Sequence, residues 1–387
     1  MTLNPETIGS FTSPGYYDEL ARLRREEPVR QYARNSWTIA RYDDVRTVSR
    51  DPERFCSGKG VLVNDPLRNG GTIEGSILHM DPPVHAPWRG LVTRRFTPRA
   101  VGSLEARVRS VARSVLAEVP ADQEIDFVDR VAAPFPVLVI AELLGIDAHD
   151  RDKFRRWSDA AIDSPDRPDD NLADLSALYQ FLIAHVKERR AAPRDDIASA
   201  VVRAEVEGTP ITTAEAVTYL LALLVAGNET TRHLVSGGAY ALAEHPEQRA
   251  RLTREPARVP AAVEECLRWV TPIQVFGRTA TRATELHGQS IAEGDFLVML
   301  YASANRDEDA FGPTAAEFDV SRPVDAQHLA FGFGEHLCVG AALARLEARV
   351  FLEELLARFP DYEATGEPEL SRSTLVRGAT RMPMVCR

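Results

Sequence analysis

One stretch of this chain limits what it can fold into more than any other: a helix about 30 residues long whose middle is apolar on every side. Thr212 and Glu215 stand as Thr-x-x-Glu, a capping box in which the two side chains satisfy free amides of the first turn. The helical pattern then runs to about Glu244, before Pro246. At 1.5 Å per residue such a helix is about 45 Å long, enough to cross a whole domain. Leu220 through Ala226 offer no polar face, so the middle is expected to be buried on all sides. The apolar run Ala216–Ala226 is about a dozen residues, interrupted by Thr218, and falls short of the ~20 that a bilayer span needs.

Further helical patterns fall at Tyr16–Glu27, Ala100–Glu118, Leu172–Arg190, Arg258–Val270 and Ala341–Phe359. Val29–Ala40 reads as extended, and Gln274–Leu300 as short strands turned at His287-Gly288 and Glu293-Gly294. Ser57–Gly75, with five glycines and two asparagines, reads as a loop. No fixed-period repeat or Pro/Ser-rich linker divides the chain. The expectation is one domain over residues 1–387, mainly α with a minor β-sheet region.

The 57 acidic and 46 basic residues give a formal net charge of −11, which argues against a general nucleic-acid binder. Cys56, Cys266, Cys338 and Cys386 are widely separated and form no Cys-x-x-Cys pair. They make neither a disulfide framework nor a zinc site, and reduced thiols are expected. The N-terminus shows no basic and apolar leader, so a cytoplasmic protein is expected, without a membrane or nucleic-acid partner and as a monomer.

The sharpest chemical signal is Phe331-Gly-Phe-Gly-Glu-His336-Leu-Cys338-Val-Gly340. Its glycines let the backbone turn tightly and approach another group closely. Cys338 stands just before the Ala341–Phe359 helix, whose N-terminal partial charge favours a thiolate. A lone thiolate without a neighbouring ligand set suits one axial bond to a haem iron; for an arbitrary cysteine the alternative is a plain buried thiol in a turn. In the long helix, Ala226-Gly227-Asn228-Glu229-Thr230-Thr231 puts an acid beside a hydroxyl in an apolar interior, which is costly unless used. Glu265 and Arg268 are three apart and can pair on one helix face, ordinarily as a surface ion pair.

These motifs, in this order along nearly the whole chain, resemble the cytochrome P-450 superfamily of haem-thiolate monooxygenases in its soluble bacterial form. The resemblance implies a single P-450-type haem domain and makes Cys338 the proximal ligand of the iron. It maps the acid–alcohol pair that delivers protons during dioxygen activation onto Glu229 and Thr230. It makes Glu265, Arg268 and Arg322 a buried network of structural rather than catalytic role, although Phe311–Phe318 is one residue longer than the usual spacing. His85, Arg89, Arg278 and His336 match residues that hold the haem propionates, while Ala226, Gly227, Phe331 and Gly340 would lie against the cofactor. Met80 and Phe276 are equally readable as pocket wall or core.

No Cys-x-x-Cys-His signal is present, so the cofactor expected is non-covalent haem b. The reaction implied is insertion of one atom of dioxygen into a small hydrophobic substrate: a sterol, terpenoid, fatty acyl chain or natural-product scaffold. The chain has no flavin or iron–sulfur module, so electrons are expected from a ferredoxin and its NAD(P)H-dependent reductase. Arg89, Arg94, Arg95, Arg99, Arg345 and Arg349 would offer that donor a basic patch. Two alternatives stand beside this reading: a peroxide-driven peroxygenase, which usually lacks the acid–alcohol pair, and a haem protein that binds ligands without turnover. The pocket is expected under Ser57–Leu78, near Leu221–Ala226, Thr271–Phe276 and Arg377–Thr380.

Overall fold

The long helix spans Thr213–Glu244, and Thr212 caps it as its sequence requires. Thr212 Oγ1 accepts from the Glu215 amide at 3.1 Å, and Glu215 Oε2 accepts from the Thr212 amide at 2.7 Å. Helices Pro134–Leu143, Leu172–Ala191, Val259–Val270 and Ala341–Arg358 pack around it. The computed structural model describes residues 2–387 apart from 72, 74, 147–149, 151–152, 155, 158–159, 161–170 and 324–325. Among the described residues no helix is long and apolar enough to cross a membrane.

Burial along this helix corrects one expectation. Leu220, Leu223 and Leu224 are buried, but Leu221, Ala222, Val225 and Thr230 are only half-buried and Ala226 is exposed. Residues spaced this way share one face of a helix. The middle of the helix therefore packs on protein along most of its girth and borders open space along one stripe.

A five-stranded sheet stands to the side, ordered Val29–Ala33, Ser36–Ile39, Phe296–Leu300, Val275–Ala280 and Phe55–Cys56. Its pairs are antiparallel except Ser36–Ile39 with Phe296–Leu300. The expected turns are found: His287 has φ 48°, Gly288 71° and Gly294 87°. The Ala100–Glu118 pattern is two helices, Pro98–Gly102 and Glu105–Ala117, because Pro98 starts an earlier turn that ends at Ser103. The Ser57–Gly75 loop contains a single turn of 3-10 helix at Pro66–Asn69, and its residues 72 and 74 lie outside the described residues.

The segment before Cys338 is largely irregular, and one contact sets its path. Gly334 has φ +75°, and a Cβ there would lie 2.3 Å from the carbonyl oxygen of Ser49. Both the left-handed backbone and the close approach to the Tyr42–Arg50 helix require glycine. Gly334→Ala is expected to destabilise the folded protein by about 2 kcal/mol or more, read as a lower midpoint in a thermal melt, with weakened haem retention.

Candidate active site

Cys338 closes the irregular segment and opens the Ala341–Arg358 helix. Its amide donates to the Phe331 carbonyl at 2.9 Å, and its own carbonyl accepts from the Ala341 amide at 3.4 Å. The residue is solvent-accessible, although protein atoms crowd around its thiol. Burial pushes the thiol above its ordinary 9.0, against the opposing pull of the Gly340 amide, Arg89 and Arg345. Desolvation and the helix N-terminus thus act on this thiol in opposite directions. A bound metal cation removes such a proton outright.

Thr230 Oγ1 donates to the Ala226 carbonyl at 2.7 Å, one turn back, at the point where the stripe opens. Glu229 is buried on the flank of the same turn. Its Oε1 lies 3.5 Å from Arg232 Nη2 and 3.4 Å from His233 Nε2. Gly227 packs against Ile140.

His85, Arg89, Arg278 and His336 are brought together from two helical segments and a strand. The His85 and His336 rings stand 4.3 Å apart. His336 Nε2 is 3.2 Å from Ser57 Oγ and 3.4 Å from Glu335 Oε1. Burial, with Arg278 and His85 adding to it, pulls the His336 imidazole down to about 3, and burial with Arg89 also lowers His85. Arg89 donates to the Leu337 carbonyl, next to Cys338. His85 Nε2 is buried without a partner among the described residues. Two guanidiniums, two uncharged imidazoles and an orphaned ring nitrogen suit an anionic group, and the cysteine sulfur suits a metal; haem carries both, so the residues fit it.

Glu265, Arg268 and Arg322 do meet, despite the extra residue in Phe311–Phe318. Arg268 grips Glu265 with two bonds of 2.7 Å, and Arg322 Nε lies 3.2 Å from Glu265 Oε2. Phe276 and Met80 are both half-buried; the Phe276 ring meets Tyr301 edge-on, and the Met80 backbone bonds His336. Of the segments expected to line the pocket, Thr271–Phe276 pairs through Ile273 with Val376, just ahead of Arg377–Thr380, and Arg377 itself donates to the Phe11 carbonyl.

The basic patch is smaller than the sequence implies. Arg345 forms two bonds of 2.7 and 2.9 Å with Glu264, Arg349 reaches Glu105 at 2.6 Å, and Arg95 reaches Asp195 at 2.6 Å. Arg94 and Arg99 remain exposed. Charge by charge, half of the six arginines are neutralised by acids.

Two buried groups of the site escaped the sequence reading. Glu347 is 3% exposed and hydrogen-bonds Thr231, tying the helix after Cys338 to the central helix one residue past Thr230. A signal existed: Glu347 stands four residues after Leu343 and one after Leu346, on a face that must be core. His233 is 0% exposed, and its signal was a charge-capable ring in the apolar half of the long helix.

An accessible cysteine at a helix start, an acid–alcohol turn on the central helix and a cluster of arginines and histidines are the parts that a haem-binding enzyme uses. Residues 169–378 match the family model described as Cytochrome P450. Erythromycin C-12 hydroxylase of Saccharopolyspora erythraea is 39% identical, over 100% of this chain and 98% of its own. The methyl-branched lipid omega-hydroxylase of Mycobacterium bovis is 35% identical, over 94% of this chain and 89% of its own. The structure of Mycobacterium marinum cytochrome P450 CYP268A2 in complex with pseudoionone superposes with a TM-score of 0.89 at 33% identity, covering 100% of this chain and 98% of that one. The chain belongs to the cytochrome P450 family. It is a haem-thiolate oxidoreductase that incorporates oxygen from dioxygen.

Burial without a countercharge raises the Glu347 carboxyl from its ordinary 4.5 to about 8. Between those values the folded state holds a proton that the unfolded state has released, so this group's contribution falls as pH rises through the window. Replacing it with the uncharged amide in Glu347→Gln should remove that slope. Urea unfolding at about pH 5 and pH 8 is expected to show the parent losing on the order of 3 kcal/mol more than the variant.

Proposed function

We propose that this protein is a monooxygenase acting on medium-sized hydrophobic molecules, with non-covalent haem b bound within residues 1–387 as one domain. The observation that carries this reading is the exposed Cys338 thiol at the start of the Ala341–Arg358 helix, with Arg89 donating to the neighbouring Leu337 carbonyl and the His85/His336 ring pair one turn along from Arg89. Cys338 would supply the sulfur ligand to the haem iron. Arg89, Arg278, His85 and His336 hold the propionates, the two imidazoles as neutral donors. Ala226, Gly227, Phe331 and Gly340 lie against the porphyrin. When bound, the haem supplies the activation of dioxygen and the transfer of one oxygen atom to substrate.

The chain supplies the rest. The open stripe of Leu221, Ala222, Val225 and Ala226 gives substrate an apolar wall with few polar groups, which excludes water and favours a hydrocarbon skeleton. Thr230, anchored on the Ala226 carbonyl, presents its hydroxyl oxygen as a proton relay, and Glu229 replenishes it from the flank. Glu265, Arg268 and Arg322 keep the irregular segment before Cys338 in place. A macrolide hydroxylase, a lipid hydroxylase and a pseudoionone-binding enzyme are similar to this chain. What their ligands share is a large apolar skeleton, and that class is proposed here. Electrons come from a ferredoxin and an NAD(P)H-dependent reductase in the cytoplasm, docking near the exposed Arg94 and Arg99. Screening macrolides, terpenoids and acyl chains for a haem spin shift identifies the substrate.

Cys338→Ala is expected to abolish the red-shifted Soret band of the ferrous carbon monoxide complex. Retention of that band by the variant would refute the ligand assignment.

Thr230→Ala is expected to bind haem and substrate as the parent does, while product per NADPH falls on the order of tenfold and hydrogen peroxide is released instead. The check is parallel measurement of NADPH, product and peroxide; unchanged stoichiometry contradicts the proton role.

A further inference from the structure

The Glu229 carboxylate is buried, and a buried carboxylate needs donors. Two stand beside it on its own helix. Arg232, three residues on, is charged and half-buried on a long flexible stem. His233, four residues on, is fully buried and short, and its Nε2 lies 3.4 Å from Glu229 Oε1. That contact falls short of a hydrogen bond, and among the described residues neither nitrogen of the ring has a hydrogen-bond partner.

The ring is also seated from outside the helix. A Cβ on Gly378 would lie 2.0 Å from His233 Nδ1 and 2.1 Å from its Cγ. Gly378 precedes the strand Ala379–Arg381, so backbone 145 positions away in sequence (378 − 233) fills the place of a side chain and leaves room for an imidazole. Burial lowers the imidazole below its ordinary value and keeps it uncharged, with Glu229 pulling the other way and Arg232 adding to the drop. Among the described residues no other charge is seen to act on it: Arg377, next to Gly378, is turned to the Phe11 carbonyl and Tyr17, and Glu347 meets Thr231. A neutral imidazole carries one N–H, and the carboxylate on the Nε2 side places that hydrogen on Nε2.

We propose that His233 is a positioning residue for proton delivery: its ring, seated by the bare backbone of Gly378, sets an otherwise unpartnered Nε2 3.4 Å from Glu229 Oε1, from where a small ring movement lets it donate to the carboxylate and hold it on the flank of the helix beside Thr230. A short, packed ring can fix the direction of the acid beside the charged but more flexible Arg232. Arg232 alone, on its flexible stem, leaves the carboxylate free to swing. This inference rests on the reading of Glu229 and Thr230 as the proton route.

The test uses the haem-loaded protein as its ferrous carbon monoxide complex, in which the C–O stretching frequency reports polar groups near the haem without turnover. Glu229→Gln sets the signature for a lost carboxylate. His233→Phe keeps ring volume and removes the donor. His233→Gln places an amide N–H close to where Nε2 stands. Gly378→Ala pushes the ring off its seat while leaving both side chains in the sequence. The expected result is that His233→Phe and Gly378→Ala shift the C–O stretch toward the Glu229→Gln value, whereas His233→Gln stays near the parent. With the screened compound giving the largest spin shift, product per NADPH should fall about fivefold in the first two and less than twofold in His233→Gln.

A packing role predicts the reverse order, with Phe tolerated and Gln not, and that result overturns the proposal. So does a parental C–O stretch in His233→Phe alongside a shifted one in Glu229→Gln. If Glu229→Gln itself changes neither the stretch nor the coupling, the proton-route reading falls, and the proposal falls with it. If His233→Phe does not fold, the contrast between Gly378→Ala and His233→Gln decides.

Discussion

The carboxylate of Glu265 is the point from which the site is hung. It is buried and accepts from Arg268, from Arg322 and from the Asp319 amide. Ion pairs taken out of water are costly unless every donor is used, and here they are used. Arg268 donates to the carbonyls of Asn305, Ala315 and Glu317, and Arg322 to those of Phe311, Thr314 and Glu317. The segment they hold has almost no regular structure of its own. Asn305 passes the constraint on: its Oδ1 accepts from the Leu329 amide at 2.6 Å, at the entry to the stretch that ends at Cys338. Removing one member would leave the others buried and uncompensated, which is why these three residues act together.

Around that frame the electrostatics are arranged as halves awaiting each other. Cys338, Arg89, Arg278 and the two histidines are each costly alone: burial raises the thiol and lowers the imidazoles. A cofactor with a metal cation at its centre and carboxylates at its edge answers both sets at once. Its binding to the folded state alone then stabilises the protein by mass action. The same logic separates the surface from the site. Arg345 and Arg349 are matched by Glu264 and Glu105 on neighbouring helices, and Arg349 also by Glu353 on its own, so they brace helices and contribute little net field.

The central helix combines two demands. It must be packed to be rigid, and it must be open where chemistry occurs. Ala226 supplies the opening by being small, Thr230 is tied to its carbonyl, and the flank carries Glu229, Arg232 and His233 in successive turns. Glu347 and Gly378 meet this helix from the two elements beside it.

Local rules suffice for what is local. The capping box at Thr212, the glycine turns at Gly288 and Gly294 and the periodic apolar faces are interactions within a few residues, so they can be read along the chain. The motif around Cys338 is equally legible, since its glycines answer to backbone geometry. Periodicity states which face of a helix is buried but not what that face meets. Hence the open stripe at Ala226, the pairing of Arg345 with Glu264 and the seat that Gly378 makes for His233 were decided by tertiary structure alone. So was the burial that raises the Cys338 thiol against the pull of the Gly340 amide, Arg89 and Arg345.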